Sequence, residues 1–468
     1  MEREKILIGW AKEDITPDRP VLLHGQHYAR VSKYVNDPVT ATSLAIESEK
    51  GEQAILLSAD LVYIYEEVCN EVREYVKGKM SEIDVQKISF GATHTHTGPT
   101  MKEGLYETSE KGVMSPSEYT KFFVKKAGDC IIKSWQNRKE GMISYGLGHA
   151  VVGHNRRATY FDGSSKMYGN TDDLNFSHIE GYEDHSVNLL FTWDKNKKLT
   201  GMIINIACPS QETENALFLS ADFWQDTREE IYKRYSKDIF ILPQCSPAGD
   251  QSPHLLIGKK EEGRMLELRG FKEKEEDIRM SARKEIGRRI ANAVDDALPY
   301  TKEDIKDKVE FKHIVKTINL PMRMVTEEEV KQAKQEIEKL QREKETPNTF
   351  RHLSRNKEVI ERYNKQKENP YLPMELHVIR LGDIAFATNR FELFLDYGIR
   401  IKARSKSIQT FLIQLSNGGG TYLPTERAVK GRSYGAEIVD NLVGPEGGQV
   451  IVEETLKEIN NLFGSVKK

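Results

Sequence analysis

The sequence predicts an α/β fold in which mixed β-sheets are covered by helices, and three observations lead there. Short β-like runs alternate with amphipathic stretches along most of the chain. Several of those runs, QAILLSAD at 53–60, MIINIAC at 202–208 and IAFAT at 384–388, are almost wholly apolar, as strands buried on both faces are. Capped helical segments fall between them, the spacing of sheets with helices packed on their faces.

In chain order the strand candidates are KILIGW (5–10), ATSLAIES (41–48), QAILLSAD, KISFGATH (87–94), VNLLFTW (187–193), MIINIAC, DIFILPQ (238–244), LHVIRL (376–381), IAFAT and FLIQLS (411–416). Ser115-Pro116-Ser117-Glu118 reads as a capping box with proline at the first helical position, opening a helix to about Trp135. Ser281 is expected to open another, with Ile286, Ile290 and Val294 stacked at i+4 spacing. Thr326 to Pro370 departs from this texture: EEEVKQAKQEIEKLQREKE precedes a polar stretch, which reads as a charged helix followed by a flexible connection. Its stripe of Val330, Ala333, Ile337 and Leu340 is too short to sustain heptads, so a solvated surface excursion is expected rather than a coiled coil. Apolar strands resume at Leu376, which makes 326–370 an insertion within one domain spanning 1–468.

Composition narrows the function classes. With 38% apolar and 30% charged residues and a net charge of −3, the 468-residue chain is neither a nucleic-acid binder nor a polyanionic tail. No window approaches the ~20 apolar residues that cross a bilayer. The start, MEREKILIGWAKEDITP, lacks a basic region followed by a long apolar one. Cys69, Cys130, Cys208 and Cys245 show no CxxC pairing. A cytoplasmic protein with reduced thiols is expected; the sequence leaves the oligomeric state open.

Chemistry concentrates in Gly91-Ala92-Thr93-His94-Thr95-His96-Thr97-Gly98-Pro99. Residues i and i+2 of an extended segment share a face, so His94 and His96 are expected to aim two imidazoles at one point. By itself the motif fits a metal or catalytic role and two polar loop histidines equally well. Pro247 to His254 follows a strand and gathers a carboxylate, a hydroxyl and an imidazole. Cys208-Pro209-Ser210 ends a strand likewise, although a lone cysteine is ordinarily core. Asn389 to Glu392 and Ser416 to Tyr422, with a triple glycine, close the series.

Taken in order, these segments resemble the neutral (non-lysosomal) ceramidases and their bacterial relatives. The likeness runs through Gly9 to Pro17 (the family's GxGxxDITP), His94 to Pro99, Asn155-Arg156-Arg157, Gly249 to His254, Glu392, Tyr422 and Tyr434, and Gly444-Pro445. It covers nearly the whole chain. It implies a ceramidase-like catalytic domain without the family's extra C-terminal β-domain, and a Zn2+-dependent hydrolase of a small-molecule N-acyl amide. The family's zinc ligands fall on His94, Glu392 and Tyr422. Its second zinc histidine falls on Cys208, whose thiolate is a good zinc donor. His96, Arg156, Ser252 and Tyr434 fall where the family handles the substrate amide; Gln251, Arg157 and His254 depart from the usual neighbours and imply a reshaped pocket. The missing β-domain and export signal imply a substrate smaller or more polar than ceramide. Two rivals stay open: a zinc esterase or deacetylase acting on a sugar or amino-acid derivative, and a non-catalytic ligand-binding homologue.

Overall fold

The structure is a computed structural model that describes residues 2–270, 275–342 and 347–464. An eight-stranded sheet runs in the order Phe240–Cys245, Leu199–Ile206, Ser186–Asp194, Lys139–His149, Ile6–Asp14, Thr40–Ser48, Gln53–Ala59 and Ile88–Ala92. Its central pairs are antiparallel, and the outermost pair at each edge is parallel. The strand alternation then decides the layers. Trp10, Leu44 and Leu56, in register across three strands, face a second sheet. That sheet has four strands, Phe311–Pro321, Tyr371–Leu381, Ile384–Thr388 and Gln409–Ile413, and supplies Ile379, Phe386 and Phe411 to the shared core. Each such side chain contributes about 1.5–3 kcal/mol by leaving water.

The alternate residues face helices. Ala45, Ile55 and Leu57 pack under Glu66–Lys79 and Pro116–Gln136. Leu189, Phe191 and Ile204 pack under Phe223–Arg234 and Glu275–Thr301. Leu376, Val378 and Ala387 of the smaller sheet pack under Leu395–Arg404 and Pro445–Leu462. The result is a four-layer stack, helices on sheet on sheet on helices, which is the α/β class with mixed sheets that the sequence predicts. The Ser115 capping box forms, with Glu118 N–H donating to Ser115 Oγ at 3.2 Å.

Two expectations need correction, and a long strand appears that is absent from the ten candidates. The helix carrying Ile286, Ile290 and Val294 spans Glu275–Thr301, so Ser281 lies inside it and does not open it. Lys139–His149 is a strand although it reads as glycine-rich: a Cβ at Gly148 would come within 2.5 Å of Ala293 O, and one at Gly146 within 2.7 Å of the Thr301 methyl. The glycines let the long helix lie on the sheet. The 326–370 stretch forms two helices, Glu327–Arg342 and Pro347–Lys365, where a helix and a flexible connection were expected. Val330, Ala333 and Val359 join Val325 and Ile438 in a small core of their own. Cys69, Cys130, Cys208 and Cys245 are free and buried. Among the described residues no helix is long and apolar enough to cross a membrane.

Asp60, just past strand Gln53–Ala59, ties the sheet to the segment that carries the histidines. Its carboxylate is fully buried, accepts from Thr40 N–H at 2.9 Å and lies 3.4 Å from Thr93 Oγ1. Arg228 meets it with both terminal nitrogens, at 2.9 and 3.0 Å. Removing one partner leaves an uncompensated buried charge, so Arg228→Ala is expected to lower unfolding stability by about 3–5 kcal/mol. Urea denaturation of the variant checks this.

Candidate active site

Strand Ile88–Ala92 ends before the first histidine, and His94 has φ of 63°. The run is therefore not extended, and the same-face argument for His94 and His96 does not hold. Their rings nonetheless stand 5.0 Å apart at 69° because the left-handed turn at His94 brings them together. His94 Nδ1 lies 3.0 Å from Val62 O, a bond in which Nδ1 donates and which turns Nε2 toward the cavity. Nε2 lies 3.5 Å from Glu392 Oε2.

Glu392 begins a two-residue strand, Glu392–Leu393, that pairs in parallel with Tyr422–Leu423, setting Glu392 beside Tyr422. Burial by itself raises the Glu392 carboxyl, but His94, Arg156 and a hydrogen bond from Tyr422 outweigh it and hold it below the usual range. The triple glycine makes the pairing possible: a Cβ at Gly420 would come within 2.3 Å of Arg390 O. Gly249 is equally constrained, since its Cβ would lie 2.3 Å from Glu392 O.

Arg156 is buried behind this pair. It donates to Tyr422 Oη at 3.2 Å, Gly249 O at 3.0 Å and Tyr168 Oη at 3.0 Å. Asp250 fixes it further, accepting from Asn155 Nδ2 at 2.9 Å and Leu395 N at 2.8 Å while its carbonyl accepts from Arg156 N–H at 2.9 Å. Ser252 is fully buried, with Oγ 3.1 Å from Tyr168 Oη and 3.2 Å from Gln211 Nε2. It supports Tyr168 and does not line the cavity. Arg157 pairs with Glu180 at 2.9 Å and donates to Tyr434 O and Arg432 O, so it pins the backbone that presents Tyr434.

His94, His96, Glu392, Tyr422 and Tyr434 line one cavity of about 260 Å³. Its aliphatic lining is Val62, Leu105 and Val439. Tyr434 stacks edge-on against Tyr422, with centroids 5.3 Å apart, and is 36% exposed. His96 Nδ1 lies 3.4 Å from Glu214 Oε2, off line for a hydrogen bond, and Glu214 Oε1 lies 3.6 Å from His254 Nδ1. Burial opposes ionisation of Glu214, yet the two imidazoles and Arg156 hold it down at about 2. A larger cavity of about 640 Å³ lies on the far side of Glu214 and His254 and touches none of His94, Glu392 or Tyr422.

Cys208 does not join the cluster. Its Sγ lies 3.7 Å from Val152 O and 3.5 Å from Pro209 O, inside the apolar core, where burial raises the thiol. Among the described residues no three His, Cys, Asp or Glu side chains are placed to hold one metal ion. His94 and Glu392, joined by the Tyr422 phenol, form a donor set of another composition. It suits a metal on two counts: an imidazole Nε2 faces an ionised carboxylate, and 3.5 Å is close to the ~3.4 Å between two ligand atoms of a tetrahedral ion bound at ~2.0–2.1 Å. His24, His27, Tyr63, Tyr168, Gln211, Glu214 and Arg351 also build or border this site without belonging to any motif. The positive φ of 54° at Tyr168 is invisible in sequence.

No protein-family model and no curated protein matches the chain. Solved structures do, two ceramidases among them. Neutral ceramidase from Pseudomonas aeruginosa superposes with a TM-score of 0.71 at 17% identity, over 97% of this chain and 74% of that one. A ceramidase complexed with C2 superposes with a TM-score of 0.68 at 16% identity, over the same shares of 97% and 74%. The chain has the neutral ceramidase fold. On that fold the site sits at the seam between the large sheet, which delivers His94, and the small one, which delivers Glu392 and Tyr422.

Asp250 gives the ceramidase-like core a pH signature. Burial pushes its carboxyl up to about 6, with the Leu395 N–H opposing. A raised acid stabilises the fold fully below the unfolded value of ~4, and this stabilisation is lost as pH rises through the folded one. The stability of wild type relative to Asp250→Asn is expected to fall by on the order of 3 kcal/mol between pH 4 and 7. Urea midpoints at each pH measure the difference.

Proposed function

We propose that the chain is a zinc-dependent hydrolase that cleaves an N-acyl amide. The observation that carries this reading is His94 Nε2 set 3.5 Å from the ionised Glu392, beside Tyr422, in a cavity of a ceramidase fold. His94, Glu392 and Tyr422 hold the ion in this reading, and Cys208 is left to the core. Zinc bound there supplies Lewis acidity and makes a neighbouring water more acidic.

The chain's own residues do the rest. Water adds its oxygen to the carbonyl carbon, the C–N bond breaks, and the products are a carboxylate and an amine. His96 takes the proton from the attacking water and returns one to the departing nitrogen. Burial holds the His96 imidazole below its ordinary value despite Glu214, which keeps it neutral and ready to accept. Glu214 stands 3.4 Å from that ring's Nδ1 and balances the charge it gains on taking the proton. Tyr434, at the cavity mouth, donates to the oxygen that gains charge, a contribution for which loss of one donor costs ~10²–10³ in rate. Arg156 holds the Tyr422 phenol in place, and Ser252 acts through Tyr168.

Elemental analysis tests the reading. About one zinc per chain is expected in wild type, in Cys208→Ala and in His96→Ala, with loss in Glu392→Gln. His96→Ala is expected to keep the metal and lose ~10²–10⁴ in turnover of acyl amides. Wild type without metal after zinc reconstitution, or His96→Ala with full turnover, overturns it.

A further inference from the structure

Helix Pro347–Lys365 forms one wall of the cavity and brings charge with it. Arg351 and Arg355 both face the space that holds His94, Glu392 and Tyr434. Arg355 is committed to the buried Asp440 carboxylate and to Val439 O. Arg351 pairs with no acid among the described residues. One of its terminal nitrogens donates to Gln26 O and Tyr106 Oη, each at 3.3 Å, and its other donors have no partner among the described residues. Lys102 lines the same cavity, 5.4 Å from the Tyr65 ring centroid, again with no carboxylate partner among the described residues.

The remaining acids do not cancel these charges. Glu392 is matched by His94 and Arg156, and Asp440 by Arg355. Glu358, at the rim, is exposed and accepts from Ser354 Oγ at 3.5 Å. His27 registers the field: burial, and then Arg351 and Arg355, push its imidazole down to about 3. A hydrocarbon substrate finds three aliphatic side chains here and a guanidinium with free donors. A guanidinium fixed at one edge and open at the other is built to receive a carboxylate or phosphate.

We infer that the amide substrate carries an anionic group, carboxylate or phosphate, which Arg351 receives with help from Lys102 while the amide lies against His94, Glu392 and Tyr434. The inference rests on the amide-hydrolase reading for the reaction, but not for the binding. It assigns Arg351 and Lys102 as specificity-determining residues.

Three acyl amides test it: N-octanoylglycine, N-octanoylethanolamine phosphate, and the neutral N-octanoylethanolamine. Wild type is expected to favour at least one anionic compound over the neutral one by about ten-fold or more in kcat/KM, a ratio typical of a charged hydrogen bond. Arg351→Gln is expected to reduce that ratio at least ten-fold, Arg351→Lys to restore part of it, and Lys102→Gln, at an exposed position, to lower it by a smaller factor. Whichever anionic compound gains names the anion. Equal rates on all three, or a ratio unchanged in both Arg351→Gln and Lys102→Gln, overturn the inference and leave the hydrolase reading standing. If none is cleaved, the hydrolase reading fails and calorimetric binding of the same compounds decides. Anionic compounds that bind ten-fold tighter than the neutral one, and lose that margin in Arg351→Gln, uphold the subsite. Equal or absent binding removes it.

Discussion

The site depends on one buried carboxylate. Asp250 has no cation of its own among the described residues; it accepts from Asn155 and from the Leu395 backbone, and its carbonyl holds the Arg156 amide. One residue thus joins the segment that carries Arg156 to the segment that carries Glu392. The glycine before it allows the approach, because any Cβ at Gly249 would collide with Glu392 O. Burying an acid this way costs energy that a neutral residue would not incur, and the raised Asp250 carboxyl is the visible consequence. The return is rigidity: Glu392, Tyr422 and Arg156 are placed by backbone bonds and a two-residue strand pair rather than by flexible side chains.

Backbone strain gathers around the same place. Non-glycine residues with positive φ include His94, Tyr168, Asp222, Leu415, Asn417, Arg432 and Ser433. Each conformation costs ~1–3 kcal/mol and persists where surrounding contacts over-determine it. Those contacts are present. Asn417 exchanges two hydrogen bonds with Phe90 in the strand leading to His94, at 2.8 and 3.1 Å. The Asp222 carboxylate accepts from the Thr213 N–H and hydroxyl, fixing the loop that carries Glu214. Arg157 gathers the carbonyls of Arg432 and Tyr434. The four-layer stack of sheets and helices is the rigid body against which these loops are bent.

Sequence reading went furthest where residue order carried chemistry. All ten apolar runs coincide with strands, because burial on both faces forces continuous apolar stretches. His94, Glu392 and Tyr422, far apart in the chain, were legible as one group through ordered motifs, and they line one cavity. Legibility failed where shape decided. Lys139–His149 hides its strand in glycines required by a helix resting on it, and Phe311–Pro321 hides in charged residues that its long pairing with Tyr371–Leu381 tolerates. Ser252 and Arg156 sit near the site but behind Tyr168 and Tyr422, a depth that no spacing encodes. Glu214 and Arg351 belong to no motif, since a lone charged residue in a polar stretch reads as surface.

The cavity is lined by charges of both signs. Glu392 lies with His94 and the Tyr422 oxygen; Arg351 and Lys102 are carried by a helix and a loop that belong to neither sheet end. In a confined space with low local dielectric such an arrangement orients anything bipolar that enters. A neutral lipid amide has no reason to prefer one direction across it. An amide with an anionic end has one favoured orientation, with that end on Arg351 and its carbonyl toward Tyr434 and His94. On the proposed reading, helix Pro347–Lys365 does more than cover the fold: the cation it brings to the cavity makes substrate charge a condition of productive binding.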